Sequence, residues 1–427
     1  MTPLCWMIRA PLFVAGILAG RPASTPRVTV VRAAYGIPAF ARKYGMKCSA
    51  CHFAVPILNP YGIAFKDRGY RMKNGTDDLR LQDPSYWPVF AWLYKAYQLD
   101  VNSLGDKTVQ RSGGFTNGQM VFGGLGSISD HVSFRFTPVI YEDGITFVDA
   151  GWVRYNQAFG TDWVNLRVGA IEPDLPLFAG REYNMSTPRF WLQYAYTAPG
   201  SVSPFNLSGT WPGLEVMGHD IDSHTRYSVE VFNAPGAPRA HCVFCSPGVF
   251  GRVTRRVDLR SGLLTSAQLG VFGSYSTWPV GPDTSHLEPQ QRYGADLELW
   301  LLSDVLPLRV TAMGLTGDDS RRLIPLANRD QRYNSGLLQV DYVPVLPLVF
   351  YSRFQVIRNA TQAVPGSLDT RGDQDFQMVG AHYYLEQNSR FDWYLELTYA
   401  RQLIKAAAPS GQSAAHDFVW AGTHLIF

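Results

Sequence analysis

From Val89 to the terminal Phe427 apolar side chains recur at every second position, the period of a strand with two unlike faces. Tyr293, Ala295, Leu297, Leu299 and Leu301 share a face opposite Arg292, Gly294, Asp296, Glu298 and Trp300. Phe391, Trp393, Leu395, Leu397 and Tyr399 oppose Asp392, Tyr394, Glu396 and Thr398, and Val164, Leu166, Val168 and Ala170 oppose Asn165, Arg167 and Gly169. Charges on the second face imply a polar interior, whereas a soluble sandwich encloses an apolar core. Strands of about ten residues are long enough to cross a bilayer when tilted.

The connections sharpen this reading. Short turns fall at 129–131, 160–162, 220–224, 258–262, 303–307, 343–347 and 387–390, with mostly longer segments between them, including 172–207, 235–248, 317–331 and 360–374. Short turns at one end and long loops at the other are the pattern of outer-membrane barrels, and counting strands this way predicts about sixteen. The last strand ends in Phe427, with Val419, Ala421, Thr423 and Leu425 on the same face, which resembles the signal read by the outer-membrane assembly machinery. Charged residues are only 17% of the chain and aromatics 13%, as a lipid-facing wall requires. No apolar run is long enough for a membrane-spanning helix. A net charge of +3, spread along the chain, leaves no basic footprint for nucleic acid. The expected surroundings are outer-membrane lipid.

Residues 1–33 read as an export signal: Arg9 is followed by APLFVAGILAG, an apolar stretch too short to anchor the chain. Residues 34–88 differ in period from the rest. The stretch from Tyr35 to Met72 reads as helical, with Asn59 as N-cap, Pro60 at the first helical position and Gly69 closing the helix. Polar residues 73–88 read as a linker into a barrel of residues 89–427.

Within this segment stands Cys48-Ser49-Ala50-Cys51-His52. Two thiols at this spacing add across the vinyl groups of a haem, and the adjacent imidazole reaches the iron as proximal ligand. A zinc or thioredoxin-like CxxC is the alternative, but no further Cys or His occurs between His52 and Met72. Export agrees with the first reading, because c-type haem is attached outside the cytoplasm. The second pair, Cys242 and Cys245, has no following His and is expected to form a short loop disulfide.

The segment resembles the fused outer-membrane cytochrome–porins, best known as iron-oxidising cytochromes. The resemblance lies in Ile37-Pro38-Ala39-Phe40-Ala41-Arg42-Lys43-Tyr44-Gly45 and the CxxCH run, then Pro56, Leu58-Asn59, Gly62, Phe65 and Gly69-Tyr70-Arg71-Met72. It covers about forty residues in order and spacing; the barrel agrees in architecture only, and Tyr61 stands where the pattern has Phe. The resemblance implies one covalent haem c held by Cys48, Cys51 and His52, with Met72 as the distal ligand. A thioether there raises the reduction potential. Met72 merely packing nearby is the alternative, and His382 and His424, on lumen-facing positions, are further candidates from the barrel wall.

The resulting expectation is an all-β transmembrane barrel whose haem segment plugs the lumen, meeting charges such as Arg167, Asp296, Glu298 and Glu396. Its function would be to take electrons from an extracellular donor, Fe(II) foremost, to a periplasmic c-type cytochrome. The alternatives are a porin with a haem gate or sensor, and a conduit exporting electrons.

Overall fold

The structure is a computed structural model that describes residues 38–73, 83, 87–116, 118–142, 144, 146–177, 192–197, 201–233, 247–259, 263–280, 286–302, 307–325, 329–345, 347–359, 373–387, 391–405 and 413–427. The export signal, much of the linker and the Cys242–Cys245 pair lie outside the described residues.

A closed antiparallel barrel dominates. Its strands are β3 (Val89–Leu104), β4 (Lys107–Phe115), β5 (Gln119–Ser127), β6 (Val132–Tyr141), β7 (Thr146–Tyr155), β8 (Asn165–Ile171), β9 (Trp211–His219), β10 (Thr225–Asn233) and β11 (Pro247–Asp258). They continue as β12 (Ser266–Val280), β13 (His286–Leu302), β14 (Pro307–Asp319), β15 (Gln331–Val345), β16 (Leu348–Asn359), β17 (Gln374–Gln387), β18 (Asp392–Ile404) and β19 (Ala414–Ile426). Both β4 and β5 pair with β3, β4 along its second half and β5 along its first, so they share one position in the ring. The barrel therefore has sixteen positions, the number expected. Strand lengths run from 7 residues in β8 to 17 in β13, on either side of the expected ten or so.

Closure comes from β19 pairing with β3. The terminal residue takes part: Ala91 N–H donates to the Phe427 carbonyl at 2.7 Å and Phe427 N–H to that of Ala91 at 2.9 Å. A sheet closed in this way leaves no unpaired edge for lipid to cover.

The two faces are inverted relative to a soluble protein. Along β10, Arg226, Ser228, Glu230 and Phe232 are buried inward while Val229 and Val231 are exposed; along β13, Arg292, Asp296, Glu298 and Trp300 are buried and Tyr293 and Leu297 exposed. Apolar residues outside and charges inside are stable only when the outer solvent is lipid. Among the described residues no helix is long and apolar enough to cross a membrane; the strands do so.

The lumen is filled at two levels. At the long-loop end, the connection after β8 turns inward. Leu175, Leu177, Phe205 and Leu207, with Tyr194 on the short helix α3 (Leu192–Ala195), pack against lumen-facing Phe232, Phe250 and Tyr333. Below lies a layer of buried ion pairs: Arg252–Asp296 at 2.7 Å, Arg309–Asp341 at 2.8 Å and Arg167–Glu215 at 2.7 Å. The charges Arg167, Asp296, Glu298 and Glu396 face inward as expected, and each has a partner on the wall itself, Glu298 on Arg309 and Glu396 on His424.

The short-turn end is occupied by residues 38–73, which are less helical than the sequence suggests. Helix α1 (Pro38–Tyr44) and helix α2 (Pro60–Asp67) flank a 3-10 turn at Cys48–Ala50 and a small hairpin of β1 (His52–Ala54) and β2 (Ile57–Leu58). Proline at 56 and the β-branched Val55 and Ile57 disfavour a continuous helix there.

Candidate functional site

The CxxCH run is pinned by its own backbone. Asn59 is the N-cap of α2, its Oδ1 accepting from Gly62 N–H at 2.9 Å. Its Nδ2 donates to the carbonyls of Ala50 at 3.0 Å and Ser49 at 3.3 Å, and its backbone N–H donates to that of Cys51 at 2.9 Å. One residue therefore caps the helix and binds the carbonyls of the CxxC turn. The helix comes so close that a Cβ at Gly62 would lie 2.1 Å from the Cys51 oxygen. Gly69 ends the element with φ +77, and Tyr70 follows at φ 63.

Cys51 is half-buried. Burial pushes its thiol up to about 11, with Arg68 pulling the other way. Burial draws His52 down to about 4, against the opposing pull of the Pro56 and Ile57 backbone, so the imidazole is neutral, the form that binds a metal. Cys48 opens the 3-10 turn, and Ala50 N–H donates to the Lys47 carbonyl at 2.9 Å. A buried imidazole directly after the second cysteine, on a turn whose carbonyls are fixed by Asn59, fits a covalently attached haem.

Met72 packs, partly buried, in the group formed by Phe65, Tyr70, Trp152, Phe40 and Tyr44. The Tyr61 hydroxyl donates to its sulfur at 3.5 Å, so the residue that departs from the family pattern touches the expected ligand. Residues after His52 pack elsewhere: Ala54, Val55 and Ile57 join Trp300, Tyr384 and Tyr394 of the wall. His382 and His424 are fully buried in the lumen and converge on Glu396, at 3.8 and 3.0 Å.

The wall holds the segment through residues that the sequence reading did not single out. Arg226 of β10 pairs with the Asp67 carboxylate at 2.9 Å, and Arg154 of β7 donates to the carbonyls of Asp67 at 2.9 Å and Lys66 at 3.2 Å. The Nε2 of His219, at the end of β9, lies 3.0 Å from the Asp67 carbonyl. Cationic donors at the last carbonyls of a helix satisfy groups left open by its geometry. Burial alone would raise the Asp67 carboxyl, but Arg226, His219 and Lys66 outweigh it and hold it below its ordinary value. Across the ring, Phe53 meets Trp300 edge-on at 5.8 Å, Tyr70 stacks on Trp152 at 6.5 Å, and the Tyr384 hydroxyl donates to the Val55 carbonyl at 3.3 Å. Strict alternation marks Arg154, Arg226 and His219 as inward-facing, but their partners lie far away in sequence.

No protein-family description matches the chain, and no curated protein does. Solved structures do. OprB of Pseudomonas putida superimposes with a TM-score of 0.50 at 10% identity, covering 79% of this chain and 94% of that one. The anion-selective porin of Comamonas acidovorans gives a TM-score of 0.50 at 11% identity, covering 79% of this chain and 99% of that one. At such identities the likeness is one of fold. With the lipid-facing outer wall, it places the chain among porin-type barrels of the bacterial outer membrane.

Proposed function

We propose that this chain is a fused outer-membrane cytochrome–porin. It would take electrons singly from an extracellular donor, Fe(II) foremost, and deliver them to a periplasmic c-type cytochrome. The observation that carries this reading is the CxxCH turn, bound to Asn59 and Gly62 and lodged inside the short-turn mouth of a porin-type barrel. Cys48, Cys51 and His52, with Met72, would hold one haem c, which would supply a one-electron couple. The chain's own residues do the rest. Asn59 fixes the turn, burial keeps His52 neutral, and a thioether at Met72 favours the high potential that an iron donor requires. Arg226 and Arg154 hold the segment in the periplasmic mouth, within reach of a soluble partner.

The packed lumen weighs against a haem-gated diffusion porin, because Leu175, Leu177 and Phe205 fill its long-loop end and Arg252, Arg309 and Arg167 are held in buried ion pairs across it. A methionine ligand weighs against electron export, whose donors are low in potential. Potentiometric titration of the purified protein tests the reading. A midpoint well above zero is expected, a strongly negative one would support export, and absence of covalent haem would end the proposal.

A further inference from the structure

The barrel interior is divided into sectors. Strands β7 to β16 carry most of the inward Arg, Asp, Glu and Gln, with rings such as Trp152, Phe232 and Trp300 among them, whereas β17, β19 and the first half of β3, together with Tyr394 of β18, bring aromatic and imidazole rings next to one another. These rings make an unbroken series of contacts. It starts at Tyr384, whose hydroxyl binds the Val55 carbonyl three residues after His52. Tyr384 lies 5.2 Å from Tyr394, which stacks on His424 at 4.5 Å and 11°. His424 stacks on Tyr94 at 5.5 Å, and Tyr94 meets Trp420 at 6.1 Å. Trp420 stacks on Phe418 at 6.1 Å, and Phe418 meets His416 at 6.4 Å. His416 stands near the start of β19, at the long-loop end, with its side chain 31% exposed and its Nε2 2.8 Å from Asp100.

The register builds this contact series. On β19, His424, Trp420, Phe418 and His416 share the inward face, and the residue between His424 and Trp420 is Gly422. Gly422 pairs with Ala96, which sits between Tyr94 and Gln98 on β3. A Cβ on Gly422 would lie 2.9 Å from Trp420 Nε1, 3.2 Å from the Ala96 Cβ and 3.3 Å from His424 Nε2. Two of the smallest residues thus occupy the one row that Tyr94 and Trp420 must bridge to meet. Trp420 Nε1 is buried with no hydrogen-bond partner, so the indole sits where packing rather than hydrogen bonding places it.

We infer that this ring series is the electron route between the extracellular end of the lumen and the haem segment, with Trp420 and Tyr94 as its central positions. The inference rests on the proposed function. Electronic coupling through protein falls exponentially with distance, so a donor at the outer mouth cannot reduce a group at the periplasmic mouth directly. Closely spaced π-systems shorten each gap. The balance is one electron: the outer one-electron donor is oxidised by one unit, ferric haem becomes ferrous, and every ring returns to its starting state with no net proton moved.

Two measurements on the full-length protein test it. In the first, a ruthenium photo-oxidant is bound at His416, with His131, His224, His241 and His286 replaced by Gln, and transient absorption after a flash reports an indole radical. The radical is expected in this background and absent in Trp420→Phe, which keeps an apolar ring of similar shape. In the second, haem-loaded protein in liposomes is reduced by a membrane-impermeant ruthenium(II) ammine on the long-loop side. Trp420→Leu, which removes the ring, should slow that reduction by at least an order of magnitude, with the haem spectrum and midpoint potential unchanged. No indole radical, or equal reduction rates in wild type and variant, overturns the route. A radical at Trp420 together with wild-type haem that the outer donor never reduces would instead overturn the proposed function and leave the coupling standing.

Discussion

Gly62 is bare because the carbonyl of Cys51 lies where its Cβ would be, 2.1 Å away. Gly62→Ala must therefore push the CxxC turn off α2, an overpacking cost of about 1–3 kcal/mol. Because the barrel carries its own packing, the loss should be local. Haem staining should fall while the heat-modifiable gel mobility of the folded barrel stays normal. With the proposed haem, Cys48→Ala and Cys51→Ala would each leave one thioether and should weaken haem staining on denaturing gels, and the double variant should abolish it; unchanged staining in the double variant would refute the site. At Met72 the contact with the Tyr61 hydroxyl makes a specific expectation possible. Met72→Leu should lower the midpoint potential and remove the weak near-infrared band of thioether–iron ligation. If wild type lacks that band, Met72 is a packing residue.

At the scale of elements, α2 is a short helix whose C-terminal end is held by the wall. Asp67 is almost fully buried and faces Arg226 at 2.9 Å. Removing one partner of a buried pair costs about 3–5 kcal/mol. Arg226 keeps Asp174 at 3.4 Å, so Asp67→Ala belongs at the lower end of that range. The sign of the pH dependence follows from the depressed Asp67 carboxyl. Once the segment is released, the carboxyl regains its ordinary value of 3.8 and binds a proton more readily than in place. The pair therefore stabilises the docked segment fully above that value, and the stabilisation is lost as pH falls below it through the lower, docked value. In planar bilayers, acid-induced conductance events should begin only below about pH 4 in wild type. Asp67→Asn should show such events already at neutral pH, with little further response to acid.

For the whole molecule, the inverted polarity of the wall and the filled lumen set the expectation. Full-length protein should conduct poorly in planar bilayers. A chain beginning at Lys73 loses the periplasmic closure and should conduct more, because Trp152, Trp300 and the Asp67 partners then line an open mouth. It should still conduct less than a wide diffusion porin, since Leu175, Leu177 and Phe205 remain packed against Phe232 and Tyr333 at the other end. Equal and high conductance from both chains would show that residues 38–72 do not close the barrel.

Strand alternation, the sequence of short turns and long loops, the caps of α2 and the CxxCH run were all legible in the sequence, because each is set within a few residues. Period two decides which way a side chain points whatever lies opposite, so Arg167, Asp296, Glu298, Glu396, His382 and His424 were correctly assigned inward. Helix caps act through neighbouring backbone, so Asn59 and Gly69 behave as expected. The hairpin at 52–58 is not legible because an apolar run as short as Phe53–Leu58 is ambiguous in period. Partners were not legible, because register and barrel closure bring together residues distant in the chain. That β4 and β5 share one position, that Asp67 meets Arg226 and Arg154, and that Gly422 and Ala96 open the row between Tyr94 and Trp420 depend on how many strands close the ring and in what register. Local sequence determined which face each residue shows; tertiary structure alone decided which residues meet across the lumen.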